Sequence, residues 1–230
     1  MKKVAGGTVK DHGKLCKAFE ARAGVTFKDR TLIETAFTHR SYLNEARATK
    51  KKSDEHVDMF GKHNERLEFL GDAVLEIAVT DYLFRTYPEA SEGSLTAYRA
   101  SLVNAVMLSS VAEALNMNDC LLLSKGEAKD TGRARATILA NTFEAVVGAI
   151  YLDRGYEPVS QFISREILKE LPRILENHLY RDPKSRFQEM AQDQVGITPS
   201  YEVLKEWGPD HAKRFVVGVF LGEELVAQGE

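Results

Sequence analysis

The sequence predicts an all-α domain followed by a small α+β domain, and three observations carry that expectation. Apolar residues recur at spacings of three and four from Leu15 to about Leu179, the period of amphipathic helices. The texture changes at Arg181-Asp182-Pro183, beyond which one short helical stretch gives way to segments that alternate like strands. Glycine- and proline-containing turns separate those segments. The boundary therefore falls between residues 180 and 181, giving domains 1–180 and 181–230.

In the first domain the helical spacing covers Leu15–Phe19, Leu32–Phe37, Leu67–Phe84, Leu95–Leu115, Ile138–Leu152 and Pro158–Leu179. Polar or Gly/Pro-containing breaks divide them. Ala48–Asn64 is a long charged loop, TYPEASEGS carries Pro88 and Gly93, and Lys125–Arg135 is a second charged loop. In the second domain Asp182 is a cap and Pro183 a favourable first helical residue for PKSRFQEMAQDQV. After the Gly196–Pro199 turn SYEVLKEW alternates, Gly208-Pro209-Asp210 turns, and RFVVGVFLG is a Val- and Phe-rich strand. Gly222-Glu223-Glu224 turns again into LVAQGE, a third strand that ends with the chain. The order α-β-β-β leaves no final element over the sheet, so a truncated domain is expected.

Composition narrows the class. The net charge of −3 and pI near 6.1 advertise no particular partner, and 43% hydrophobic residues suffice for a core. No secretory signal follows the two N-terminal lysines, and no run nears the ~20 apolar residues of a membrane span. Cys16 and Cys120 form no CxxC and no disulfide framework. A soluble cytoplasmic protein is expected.

The chemistry begins at NERLEFLGDAVL, Asn64–Leu75. Steps of three and seven residues return Glu68 and Asp72 to within roughly 60° and 20° of Glu65, so three carboxylates share one stripe of an otherwise apolar helix. A solvated acidic face is one reading. Against it, the positions four residues on are Phe69, Asp72 and Glu76, not lysines or arginines. Gly71 also sits mid-helix, where it costs about 1 kcal/mol relative to Ala unless something approaches the backbone closely.

A second helix repeats the pattern. Ile138–Asp153 is apolar on nearly every side yet carries Asn141 and Glu144 on one face, with Gly148 inside it. Packed face to face, the two helices would gather Glu68, Asp72, Asn141 and Glu144. Clustered carboxylates raise one another's pKa unless a cation neutralises them. All-oxygen ligands favour Mg²⁺ or Mn²⁺ with substrate phosphates in the remaining positions, the arrangement for metal-assisted phosphodiester cleavage. A di-iron bundle would need Glu-x-x-His, and no histidine here has a glutamate three residues before it.

At Asn64–Leu75 the sequence resembles the bacterial ribonuclease III family. Thr38–Glu45, Glu92–Asn104 and Ile138–Asp153 follow in that family's order. Residues from Asp182 on resemble a double-stranded-RNA-binding domain, with DPKSRFQEMAQ, then PSYEV, then the GPDHAKRF loop. The resemblance implies an all-α nuclease domain, a homodimer, that cuts double-stranded RNA with Mg²⁺ (Mn²⁺ substituting) to leave 5′-phosphate and 3′-hydroxyl ends. Processing of ribosomal RNA precursors and other structured RNAs is the implied role. It makes Glu68, Asp72, Asn141 and Glu144 the metal site, with Asp72 and Glu144 catalytic, and sets Glu65 and Glu92 along the same acidic valley. It makes Phe69 a plug for the partner subunit, whereas spacing alone puts Phe69 in the core. Gln188 and His211 are its RNA-contact positions; unaided, they are an exposed helix residue and a turn cap.

Two departures stand out. The family's commonest residue at position 141 is Asp, and Asn removes one negative charge while keeping a ligating oxygen. From Asp182 onward 5 Lys and Arg face 9 Asp and Glu, a net of −4, wrong for a phosphate-binding surface by itself. Lys125, Arg133 and Arg135 are either phosphate contacts or a solvated loop. Two rival readings stay open: a non-cleaving double-stranded-RNA-binding protein on the same scaffold, and a purely structural helical dimer.

Overall fold

A computed structural model describes residues 9–48, 62–180, 183–209 and 213–230. The chain divides into two compact units, Met1–Asn177 and His178–Glu230.

In the first unit α1 (Val9–Ala23), α2 (Arg30–Ala36) and α3 (Arg40–Ala48) precede α4 (Glu65–Thr86). Then come α5 (Glu92–Leu102), α6 (Ala105–Ala114), α7 (Arg133–Arg154), α8 (Tyr156–Glu166) and α9 (Leu171–Glu176). The all-round apolar character of α7 has its reason here. It is the central helix, burying Leu139, Phe143, Val146, Val147 and Ile150 while α2, α4, α6 and α8 pack around it. Phe143 stacks on Phe162 of α8 with ring centroids 5.7 Å apart, and Phe19 meets Phe37 edge-on at 5.1 Å.

The α4–α7 contact is backbone against backbone. A Cβ added to Gly71 would lie 1.7 Å from the Glu144 carbonyl oxygen, and one added to Gly148 would lie 2.3 Å from that of Leu67. Both mid-helix glycines are therefore explained by close approach. No side chain intervenes at the crossing, so the main chain itself sets the helix separation.

Two helices expected to be continuous are broken. Leu95–Leu115 becomes α5 and α6, because Asn104 caps α6 by accepting the Met107 N–H at 3.0 Å. The Pro158–Leu179 stretch divides at Ile167, where a 3₁₀ turn (Leu168–Glu170) leads into α9 with Pro172 near its start. The two cysteines, unconnected by sequence pattern, come together around a buried histidine. His12 Nε2 donates to the Cys120 carbonyl at 2.9 Å, and the Cys16 thiol lies 4.0 Å from Nδ1. Burial pushes the Cys120 thiol up to about 12 and Cys16 higher still, so both stay protonated and unreactive. Among the described residues no helix is long and apolar enough to cross a membrane.

In the second unit α10 (Pro183–Val195) precedes a three-stranded antiparallel sheet of β1 (Ser200–Trp207), β2 (Arg214–Leu221) and β3 (Glu224–Gly229), in that order. Tyr201 pairs with Val219, which pairs with Ala227. The two-residue β2–β3 turn begins with Gly222 at φ +64°, the pattern of a type II′ hairpin turn.

Candidate active site

The site is assembled from the two central helices. Glu65, Glu68 and Asp72 come from the first two turns of α4, and Asn141 and Glu144 from the middle of α7. Because Gly71 rests on the Glu144 carbonyl, the neighbouring side chains meet across the crossing. The electrostatics record this. Burial first, then the charges of Asp72 and Glu68, raises Glu144 to about 7. Burial and Glu65 raise Glu68, while a hydrogen bond donated by the Asn141 amide and the nearby Arg40 act against them. That hydrogen bond uses the amide N–H end, so the carbonyl oxygen is the end that could ligate a cation.

Glu65 has partners that helical spacing could not show. Arg40 at the start of α3 donates to its Oε1 at 3.1 Å. His63 Nδ1 lies 3.6 Å from Oε2, an ion-pair distance but too long for a hydrogen bond. This buried nitrogen has no hydrogen-bond partner among the described residues. Beside the Glu68–Asn141 pair opens a cavity of ≈ 250 Å³, bounded by His39, Arg40, Asn64 and Glu65 among others. His39 Nδ1 accepts the Ser41 N–H at 3.3 Å, so its ring proton sits on Nε2, and burial lowers its pKa. The sequence marks Thr38–Glu45 as a motif, but nothing in its spacing gives Arg40 or His39 a place at the site.

The other expected positions divide. Glu92, in the first turn of α5, is exposed and accepts the Thr96 hydroxyl at 3.0 Å, apart from the charges that act on Glu68 and Glu144. Phe69 is 83% exposed, so the core reading of its spacing fails within one chain. With Ala73, Ile77 and Phe84 it forms an apolar stripe along the outer side of α4. Gln188 is exposed on α10, and His211 lies outside the described residues. Arg135 is occupied structurally, donating to the carbonyls of Glu127 at 2.9 Å and Asp130 at 3.3 Å.

Among the described residues no three acidic, histidine or cysteine side chains converge tightly enough to hold an ion unaided. The donor set nevertheless fits a hard divalent cation. Mg²⁺ is usually held by only one or two carboxylates, with waters and substrate oxygens completing the shell. Burial, with repulsion from Asp72 and Glu68 added to it, lifts Glu144 to about 7, and such a cation would relieve the repulsion.

Residues 29–171 match the Ribonuclease-III-like family, and residues 183–230 match the Double-stranded RNA binding motif. A helical nuclease domain joined to such a motif is a metal-dependent endoribonuclease acting on double-stranded RNA. Ribonuclease 3 of Bdellovibrio bacteriovorus is 41% identical over 220 residues, covering 95% of this chain and 88% of that one. Ribonuclease 3 of Pelotomaculum thermopropionicum is 43% identical over 208 residues, covering 90% and 82%. The solved nuclease domain of the Campylobacter jejuni enzyme superposes with a TM-score of 0.56 at 37% identity, covering 68% of this chain and 98% of that one. The chain belongs to the ribonuclease III family.

Proposed function

We propose that this chain hydrolyses duplex RNA at the site formed by Glu68, Asp72, Asn141 and Glu144, with Mg²⁺, or Mn²⁺ in its place. The observation that carries the proposal is Glu144, raised to about 7 by burial and by Asp72 and Glu68 facing it across the glycine contact. When bound, the divalent ion supplies an activated water nucleophile and charge stabilisation at the phosphate. Glu68 and Asp72 hold it from α4, Asn141 and Glu144 from α7. Carboxylate oxygens of Asp72 and Glu144 also accept hydrogen bonds from the attacking water and fix its direction. In-line attack leaves a 5′-phosphate and a 3′-hydroxyl, and the substrates are ribosomal RNA precursors and other structured RNAs in the cytoplasm.

The working unit is a homodimer paired through the α4 stripe. An exposed phenylalanine in line with Ile77 and Phe84 supports this, and the Campylobacter jejuni nuclease domain has a described region involved in dimer formation. Glu65 and Glu92 line the valley along which the duplex runs. The second unit grips the duplex by shape through Gln188 and His211.

Asn141 favours one rival, a non-cleaving RNA-binding protein, because its amide supplies no charge to the shell. Long duplex RNA incubated with the protein in Mg²⁺, Mn²⁺ or EDTA decides between them. Cleavage with either ion and none in EDTA is expected. Binding without cleavage in both ions would establish the rival.

A further inference from the structure

We infer that Arg40 binds a backbone phosphate of the strand being cut, held in the cavity beside Glu68 and Asn141. This rests on the reading of Glu68, Asp72, Asn141 and Glu144 as the cutting site. The cavity, at ≈ 250 Å³, falls below the ~300–1,000 Å³ of sites that enclose drug-sized ligands. It is roomy enough for a phosphodiester group, and the guanidinium on its lining favours an anion. Its Glu68–Asn141 wall is the candidate ligand shell, so a phosphate there is next to the one being attacked or is that phosphate itself.

Arg40 is the permanent cation among the residues lining it. Its side chain is 65% exposed and is held at the rim by Glu65 at 3.1 Å. An ion pair so open to solvent is weak, so Glu65 parks the guanidinium without committing it. The planar guanidinium fork matches two phosphate oxygens. Of the neighbouring imidazoles, His39 is turned onto Ser41, and His63, 3.6 Å from the far oxygen of Glu65, does not line the cavity. In the cavity one guanidinium faces two carboxylates, Glu65 and Glu68. A divalent ion in the Glu68–Asn141 shell turns that balance from negative to positive, so the phosphate subsite works together with the ion.

The test measures the salt dependence of duplex RNA binding in Mg²⁺ for full-length Arg40→Ala, Arg40→Gln and Arg40→Lys. It is done in a Glu144→Gln background, so that the RNA survives. Each lost phosphate contact should flatten the log-affinity against log-salt slope by about 0.7–0.9. The Ala and Gln forms should show that loss and the Lys form most of the original slope. In the Glu144 chain, the RNA concentration for half-maximal cleavage should rise several-fold in the Ala and Gln forms, more than the maximal rate falls. Arg40→Gln keeps a donor for Glu65 but no charge. A Gln form with the original slope and half-saturation overturns the inference and leaves Arg40 as a tether for Glu65. An unchanged slope in Arg40→Ala overturns it too. A Glu144→Gln chain that still cuts RNA would fault the site reading alone; the Arg40 slope is then read from half-saturation of cleavage and judged independently.

Discussion

Replacing Gly71 by Ala sets two effects of opposite sign against each other. In an open helix interior the change stabilises by about 1 kcal/mol. Here the new Cβ would sit 1.7 Å from the Glu144 carbonyl oxygen, 2.6 Å from its carbon and 2.9 Å from the Gly148 nitrogen. Ordinary contact begins near 3.4 Å, and every atom met is main chain with no rotamer to yield. Two 22-residue helices must move apart along their crossing. Overpacking typically costs ~1–3 kcal/mol and occasionally more, and this geometry belongs at the upper end. After the helix-propensity gain a net loss of about 2 kcal/mol or more remains. For a unit of this size that lowers the melting midpoint by roughly 4–8 °C. The assay is urea and thermal unfolding of the metal-free protein. Gly13→Ala in α1 serves as the control, since its Cβ would meet nothing within 4 Å. That control should be neutral or stabilising by up to about 1 kcal/mol. A Gly71→Ala protein as stable as the control would refute the backbone contact and the site geometry built on it.

Four further outcomes are expected. Glu144→Gln should abolish single-turnover cleavage and leave duplex binding intact or slightly tighter; unchanged cleavage removes Glu144 from the mechanism. Phe69→Ala should alter monomer stability by no more than about 0.5 kcal/mol, because the ring is exposed. In sedimentation it should shift the protein toward monomer, and a persisting tight dimer would place the interface elsewhere. Asn141→Asp should lower the Mg²⁺ concentration for half-maximal cleavage, and Mn²⁺ should rescue the Asn form better than Mg²⁺ does; an untouched metal dependence means residue 141 is no ligand. Burial holds His12 below its ordinary 6.5, so the unfolded chain gains a proton that the folded chain refuses as pH falls through that value. Stability present above 6.5 is therefore lost below it. His39 shifts the same way, so His12→Gln should reduce, without abolishing, the fall in urea midpoint between about one unit above and one unit below 6.5.

The helical period, the two mid-helix glycines and the oxygen-only pattern are local features, and each is legible in the chain. Gly71 and Gly148 announced a close crossing, and the crossing puts Glu144 against α4. Glu65 was less legible. Helical spacing sees partners three or four residues away, and Arg40 is 25 residues off. Phe69 defeated periodicity for a related reason, since an exposed apolar stripe has the same spacing as a core. The Asn104 break was readable in principle, because Asn is a strong cap, but an apolar run through Leu102, Val103, Val106 and Met107 masked it. The His12–Cys16–Cys120 contact links positions more than a hundred residues apart and left no pattern in the sequence.

Glu68 and Phe69 are consecutive, yet one lies in the carboxylate cluster and the other in the outward apolar stripe. About 100° of helix rotation separates these two duties, and Gly71 anchors the helix between them and Asp72. The consequence concerns chain length more than chemistry. Inserting or deleting one residue between Phe69 and Gly71 keeps the Gly71 contact but turns Glu65, Leu67, Glu68 and Phe69 by that same angle, so the Leu67 carbonyl also leaves Gly148. Glu65 and Glu68 would then leave the carboxylate cluster and Phe69 the apolar stripe in a single event, with no side chain exchanged. This first stretch of α4 can vary in spelling but not in count.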